Sequence, residues 1–177
     1  HLSNYNKALV QRNALLRQMA GDPTLSDMLQ MWDDQLISNG EKIIELRQQF
    51  IDEIGAIAKE IHKKLTNEEE VLILSYEPEV KKEEFADKLR QSRTRDIAAK
   101  MTTVGPHRDD ICFMIQRPEK DAEDVRKYGS QGQQRTSALS LKLAEIELVK
   151  QKIKDSPIIL LDDVLSELDR KRQKQLL

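Results

Sequence analysis

The stretch PIILLDDVLSELD, from Pro157 to Asp169, decides the predicted fold. An apolar run, Ile158 to Leu161, is followed at once by Asp162 and Asp163. Such a short, unbroken run is typical of a strand buried on both faces of a parallel sheet, and proline suits the first position of a strand. Ligands of open α/β sheets bind beyond the carboxyl ends of the strands. The sequence therefore predicts an α/β fold with the two acids at a ligand site.

A second motif, GSQGQQR from Gly129 to Arg135, lies before a predicted amphipathic helix. The apolar residues of that helix are Ala138, Leu139, Leu141, Leu143, Ala144, Ile146, Leu148 and Val149. Two glycines and Ser130 at a helix start leave N–H groups at the positive end of the helix dipole, which suits a phosphate. A Ser/Gly helix start alone is usually only a cap. Here the loop is followed by one helix, one buried strand and the paired acids.

This order resembles that of ABC-type ATPase heads, in the branch that contains the SMC and RecF families. The segment Gly129 to Arg135 is similar to the signature loop, Leu160 to Asp163 to the Walker B motif, and Ser166 to Asp169 to the D-loop. With TTVGPHRDD at residues 102–110, the resemblance is closest to the RecF family of bacterial recombination mediators. It implies an α/β fold: the C-terminal part of a P-loop NTPase head of the ABC type, with an inserted, mainly α-helical arm domain.

The resemblance implies a role for each motif residue. Asp162 would help to hold Mg²⁺, and Asp163 would orient or deprotonate the attacking water, although most such heads have Glu at that position. Ser166 and Asp169 of the D-loop would pack across an interface between two copies. The residues that would contact the γ-phosphate of ATP held on the other copy are Ser130, Gln131, Gly132 and Gln133. ATP would thus join two copies, and the shorter Asp163 side chain implies slow hydrolysis.

The same resemblance implies which cofactors and partners the whole protein would use and in which processes it would act. ATP and Mg²⁺ would be the cofactors, and the whole protein would act in DNA repair, recombination, replication and the SOS response in the cytoplasm. It would bind single-strand/double-strand DNA junctions and, with RecR and indirectly RecO, help to load RecA at single-strand gaps. No membrane partner is expected, because no apolar run approaches the length that spans a bilayer.

The charge distribution gives no overall basic footprint for nucleic acid. The formal net charge is -2, although 34% of the residues are charged. A DNA contact would therefore need a local patch, and the candidate residues are Lys88, Arg90, Arg93, Arg95 and Lys100. Such a cluster more often forms the solvated face of a charged helix.

We predict a helical arm (lever) domain over residues 1–100 and a partial ATPase lobe over residues 101–177. Within the arm, Trp32 is predicted to be a core residue and His62 a surface or helix-seam residue; Cys112, beyond it, is predicted to be a small core residue. The predicted elements are helices over 2–20, 24–38, 41–65 and 80–100, and strands over 71–76 and 111–115, with breaks at 21–23 and at Asn39-Gly40.

The pattern G-x-x-x-x-G-K-[ST] of a phosphate-cradling P-loop does not occur in the 177 residues. We therefore expect the chain to be a piece of a longer ATPase and to be inactive alone.

Other functional classes were weighed against this one. A kinase catalytic loop would need Asn five residues after Asp109, where the chain has Met114. A metal-dependent hydrolase using His107, Asp109 and Asp110 lacks further histidines in a plausible arrangement, and a polar turn at the entrance of a strand is the preferred interpretation of these residues. A non-enzymatic helical scaffold and an SMC-like head fragment stay open as alternatives.

Overall fold

A computed structural model describes residues 1–18 and 26–153, which form helices and a three-stranded sheet. This mixture of helices and strands agrees with the predicted α/β class. In chain order the elements are α1 (Leu2–Gln18), α2 (Ser26–Leu65), β1 (Val71–Glu77), α3 (Lys82–Gln91), α4 (Arg93–Ala99), a 3-10 turn (Pro106–Arg108), β2 (Asp110–Gln116), β3 (Glu123–Asp124), α5 (Val125–Tyr128) and α6 (Gln131–Ile153).

The described residues divide into two compact units, each assembled from two separate stretches of the chain. Unit 1 comprises His1–Gln49 and Tyr76–Asp110, and unit 2 comprises Phe50–Ser75 and the described residues from Ile111 onward. The division falls inside α2, β1 and β2, so these elements contribute to both units. The predicted arm over 1–100 and ATPase lobe over 101–177 stay predictions about the whole protein.

The predicted break at Asn39-Gly40 is wrong, because α2 continues without interruption for 40 residues. Asn39 does not act as a breaker, since its side-chain Nδ2 donates to the Gln35 carbonyl within the helix at 2.9 Å. Gly40 is required for packing, because a Cβ there would overlap Cε1 of Phe85 and come within 3.2 Å of the Tyr5 ring. Although α2 is long, no helix in the described part of the chain is both long and apolar enough to cross a membrane.

We expect the two glycines of α2 to respond oppositely to alanine. Alanine favours a helix over glycine by about 1 kcal/mol. At Gly55 the new Cβ would lie 3.5 Å from Leu74 Cβ, an ordinary contact, so Gly55→Ala should stabilise by about 0.5–1 kcal/mol. At Gly40 the overlap with the buried Phe85 ring costs typically about 1–3 kcal/mol and should outweigh the gain. Urea unfolding midpoints measure both, and equal stabilisation by the two substitutions would contradict the packing at Gly40.

The single helix predicted over 80–100 is also wrong, because it is divided into α3 and α4 at Ser92. Ser92 ends α3 with φ -76° and ψ -7°, and its hydroxyl oxygen lies 2.9 Å from both the Leu89 carbonyl oxygen and Asp96 Oδ2, two acceptors that share its one proton. A serine that bonds the backbone locally competes with the helix, which is why the helix divides at this residue.

The core of unit 1 is formed by apolar side chains of α1, α2 and α3. Trp32 packs against a cluster of Leu15, Leu16 and Leu29, and Ile97 of α4 packs beside it. The predicted core position of the tryptophan is therefore confirmed. The other nearly inaccessible apolar residues of this unit include Tyr5, Ala8, Leu36, Phe85 and Leu89.

A charged cluster lies within the same core. Arg12 is fully buried, and its Nε donates to Asp33 Oδ1 at 2.5 Å, while its Nη1 donates to Asp96 Oδ2 at 2.8 Å. The same Nη1 reaches Thr102 Oγ1 at 2.8 Å. Arg93 adds a second cation to Asp33, with Nε 2.8 Å from Oδ2. Through this cluster α1 is connected to α2, α4 and the segment before the 3-10 turn.

Unit 2 contains α6, the end of α2 and most of a sheet whose strand order is β1-β2-β3. Strands β2 and β3 are antiparallel, with Met114 opposite Asp124. Cys112 of β2 is buried and not in a disulfide, which confirms the prediction of a small core residue. The buried residues of α6 are Thr136, Ser137, Leu139, Ser140, Ala144 and Leu148, so three hydroxyl-bearing residues share its inner face.

Candidate nucleotide-binding site

The predicted signature loop connects α5 to α6. Asp124 caps α5 by accepting a hydrogen bond from a backbone N–H of its first turn at 2.8 Å, and the helix ends at Gly129. Ser130 then precedes α6, and Ser130, Gln131 and Gly132 are all exposed to solvent. The loop thus presents the start of a 23-residue helix to anything that approaches from outside the chain.

Ser130 and Gln133 cap this helix reciprocally. The Gln133 N–H donates to Ser130 Oγ at 3.2 Å, and the Ser130 N–H donates to Gln133 Oε1 at 2.8 Å. This is a capping box, which satisfies two of the donors that a helix start leaves without partners. The N–H groups of Gln131 and Gly132 have no intrahelical partner by helix geometry and lie at the positive end of the dipole. Such a helix start can bind an anion, phosphate among them.

The two glycines of the loop serve different purposes. A Cβ at Gly129 would lie 2.5 Å from the Val125 carbonyl oxygen, so internal packing requires glycine there. A Cβ at Gly132 would meet nothing nearer than Ser130 Oγ at 3.9 Å, and its φ is not in the left-handed region. No described feature of this chain therefore requires the second glycine, whereas a ligand that approaches the backbone closely would.

Glu70 is a residue of this site that the sequence did not reveal. It immediately precedes β1, and its Oε1 accepts from Gln133 Nε2 at 2.6 Å. His62, predicted to be a surface or seam residue, is fully buried with Nε2 3.6 Å from Glu70 Oε2, so the surface alternative is wrong. The contact between Gln133 and Glu70 joins residues 63 positions apart, and such a contact leaves no periodic signal in a single sequence.

The remaining predicted nucleotide-site residues lie outside the described residues. They are Asp162, Asp163, Ser166 and Asp169. Their roles in holding Mg²⁺, orienting water and packing across an interface stay predictions.

The predicted DNA-binding cluster lies on α3, α4 and the residue after α4, and local partners engage much of its charge. Arg93 is the least accessible because it pairs with the buried Asp33. Lys88 pairs with Glu84 at 2.8 Å, and Arg95 Nε donates to Thr103 Oγ1 at 2.8 Å. The exposed members are Lys88, Arg90, Arg95 and Lys100. Their DNA binding stays a prediction.

Asp109 of the GPHRDD segment connects the 3-10 turn to other residues of unit 1 through hydrogen bonds. Its carboxylate accepts from Arg47 Nη1 at 2.7 Å, from the Tyr76 hydroxyl, and from the Glu79 N–H at 3.0 Å. Arg47 also donates to the Pro106 carbonyl. These bonds favour the polar turn over the hydrolase alternative, because the carboxylate is committed to structural donors.

His107 of the same segment also has structural hydrogen-bond partners. Its Nε2 lies 3.3 Å from the Thr102 carbonyl, which can only accept, so Nδ1 accepts from the Tyr5 hydroxyl at 2.8 Å. Burial lowers the pKa of His107 below its ordinary value, against the smaller opposing effect of the Thr102 carbonyl. Burial likewise raises the pKa of Tyr5, so the phenol stays protonated and donates.

Comparison with solved structures defines the class of protein. No family profile matches the sequence. Two structures of the recombination mediator protein RecF in the RecFOR pathway, described as RecF-ATP and RecF-ATPrS, match with TM-scores of 0.87 and 0.85 and identities of 34% and 35%. They cover 99% and 97% of this chain, which spans 48% and 47% of theirs. The fold is therefore that of an ABC-type ATPase head, as the motif order predicts.

Curated relatives specify the family within that class. The chain is 57% identical over 177 residues to the DNA replication and repair protein RecF of Lachnoclostridium phytofermentans, and 53% identical to that of Agathobacter rectalis. Each match includes all of this chain and 48% of the relative. The chain is RecF-like along its whole length, which confirms the predicted resemblance, and it spans about half the length of the curated relatives it matches.

Proposed function

We propose that the whole protein is an ATP-dependent, DNA-binding recombination and repair mediator whose two copies associate when ATP is bound. The observation that carries this proposal is the loop Gly129–Arg135: a capped, exposed helix start with a glycine at position 132 that no described packing requires. Similarity to relatives described as DNA replication and repair proteins, and to structures described as RecF-ATP, supports the choice of nucleotide and process.

In this proposal the signature loop acts on a nucleotide held by another copy. The Ser130 hydroxyl and the N–H groups at the start of α6 would donate to the γ-phosphate of that nucleotide. Because glycine has no side chain, the backbone at Gly132 could approach the phosphate closely. Gln133 would keep the loop in this geometry through the capping box. The chain's contribution is thus to position donors for a negatively charged group.

The acidic pair would complete the site. Asp162 would hold Mg²⁺, which neutralises phosphate charge, and Asp163 would orient the attacking water. The D-loop residues Ser166 and Asp169 would pack across the same interface between copies. Because Asp163 has a shorter reach than the usual glutamate, hydrolysis would be slow and would serve to release the two copies.

The proposal also covers the DNA, the protein partners and the location of the whole protein. The exposed cations Lys88, Arg90, Arg95 and Lys100 would contribute to contacts with DNA at single-strand/double-strand junctions. RecR would be the direct protein partner, and RecO and RecA the indirect ones, in the cytoplasm. The piece of 177 residues alone is expected to be inactive as an ATPase.

We expect Ser130→Arg to abolish ATP-dependent dimerisation of the whole protein. The added side chain would occupy the space in front of the helix start and remove the hydroxyl donor. Light scattering should show that Mg-ATP doubles the mass of the wild type but leaves Ser130→Arg monomeric. Ser3→Arg, the same substitution at an exposed serine of α1, serves as the control and should dimerise like the wild type. If Mg-ATP leaves the wild-type mass unchanged, the trans mechanism is wrong and the scaffold alternative gains support.

A further inference from the structure

The side-chain amide of Gln133 is fixed at both ends. Its Oε1 accepts from the Ser130 N–H at 2.8 Å, and its Nε2 donates to Glu70 Oε1 at 2.6 Å. A carboxylate only accepts and a backbone N–H only donates, so the orientation of the amide follows from its partners. The residue that closes the capping box therefore depends on Glu70.

His62, in the last turn of α2, lies beside Glu70. Glu70 Oε2 lies 3.6 Å from His62 Nε2, and His62 Nδ1 lies 3.0 Å from Ser140 Oγ. The Ser140 hydroxyl donates to the Thr136 carbonyl at 2.8 Å, so its oxygen accepts from His62 Nδ1. The buried imidazole thereby connects α2 to α6 and lies next to the Glu70 carboxylate.

The turn between α2 and β1 fixes the backbone near Glu70. Thr66 Oγ1 donates to the His62 carbonyl at 2.9 Å and lies 3.3 Å from the Glu70 carbonyl oxygen. Asn67 and Glu68 both have positive φ, 52° and 64°, which makes the turn tight. The carboxylate is thus presented by a short segment with few alternative conformations.

We propose that Glu70 is a positioning residue for the signature loop, through which the end of α2 sets the geometry of the phosphate-binding helix start. This inference rests on the proposed function. Glu70 orients Gln133, which holds the Ser130 N–H, and the remaining donors of the loop are thereby aimed outward. A rearrangement at the end of α2 would reach the loop through two side chains, His62 and Glu70.

The test measures the Mg-ATP concentration that gives half-maximal dimerisation of the whole protein. We expect Glu70→Ala to raise it by about tenfold or more, because a hydrogen bond to a charged group is lost. Glu70→Gln can still accept from Gln133 and should stay within about threefold of the wild type. Glu70→Asp keeps the charge but is one methylene shorter, so it should fall between the two. Glu69→Ala removes an exposed neighbouring acid and should change nothing.

Two further readouts separate positioning from general damage to the fold. Nucleotide affinity of the dilute monomer should be unchanged in Glu70→Ala, because the loop acts on the other copy's nucleotide. Hydrogen exchange at the Ser130 amide should be several-fold faster in Glu70→Ala and Glu70→Asp than in Glu70→Gln.

Two outcomes would overturn the inference: dimerisation of Glu70→Ala at the same Mg-ATP concentration as Glu69→Ala, or equal impairment of Glu70→Gln and Glu70→Ala. If the wild type fails to dimerise at all, the proposed function is wrong. Exchange at Ser130 still decides the link to Glu70 in that case. Glu70→Asp, the milder change, supplies the exchange measurement if Glu70→Ala does not fold.

Discussion

Arg12→Leu should lower the free energy of unfolding by about 3–5 kcal/mol, the largest effect we expect from one substitution in the described chain. The guanidinium is fully buried between Asp33 and Asp96, whose side chains are equally inaccessible. Leucine would fill part of the volume but would remove the cation that the two carboxylates share. Asp33 would keep its pair with Arg93, whereas Asp96 would be left with uncharged donors such as the Thr103 N–H and hydroxyl. Burying an unpaired charge costs more than an exposed salt bridge contributes, because the low-dielectric interior does not solvate it.

Urea unfolding of Arg12→Leu measures this effect, with Arg17→Leu as the control. Arg17 is an exposed cation on the same helix, so its replacement should change stability by no more than about 0.5 kcal/mol. The difference between the two variants should persist at high salt, because buried pairs are screened much less than exposed ones. Equal unfolding midpoints for Arg12→Leu and Arg17→Leu would show that the cluster contributes no stability.

Gly105→Ala should destabilise the protein by about 2–5 kcal/mol, for two separable reasons. Gly105 has φ 135° and ψ 175°, a backbone conformation that other residues adopt only under strain. In addition, a Cβ there would lie 2.5 Å from the Tyr5 hydroxyl oxygen and 3.3 Å from His107 Nδ1. The substitution would therefore strain the backbone and displace the hydrogen bond between these two side chains.

A double mutant separates the two contributions. Tyr5→Phe removes the hydroxyl that the new Cβ would meet, so Gly105→Ala should cost less in the Tyr5→Phe background than in the wild type, while the backbone strain remains. Gly132→Ala is the control, since it adds the same atom with only an ordinary contact to Ser130 Oγ at 3.9 Å; because Gly132 lies in α6, the unfolding midpoint should stay the same or rise slightly. If Gly105→Ala and Gly132→Ala unfold at the same urea concentration, the 105–108 turn does not have this geometry.

The sequence predicted those elements whose signals are local. The apolar runs of β1 and β2 are found within a residue or two of the expected positions, and a helix follows the capped loop as expected, although three hydroxyl-bearing residues lie on its inner face. The continuity of α2 could not be predicted, because Asn39-Gly40 is a break signal by composition. What overrides it is the ring of Phe85, which lies 45 residues later in the chain and takes the space that a Cβ would fill.

In the candidate site, too, contacts between neighbouring residues could be predicted from the sequence, whereas contacts between distant residues could not. Ser130 and Gln133 form the pattern S-x-x-Q of a capping box, so their mutual bond could have been predicted from spacing. Glu70 and His62 could not, since their partners lie on distant stretches that only the tertiary structure brings together. The acids Asp162 and Asp163 are predicted from a strand pattern and lie outside the described residues, so their role stays a prediction.

The alternation of the two units along the chain bears on how the protein is made. Unit 1 is incomplete until residue 110 has left the ribosome, and by then residues 50–75 of unit 2 have emerged without their partner α6. At roughly 5–20 residues per second, translating residues 76–110 alone takes about 2–7 s. During that interval apolar residues such as Ile51, Ile54 and Ala58, buried in the finished structure, face solvent on the nascent chain. The discontinuous units therefore make this interval, and not only the finished fold, a point at which the nascent chain exposes apolar surface that a chaperone could bind.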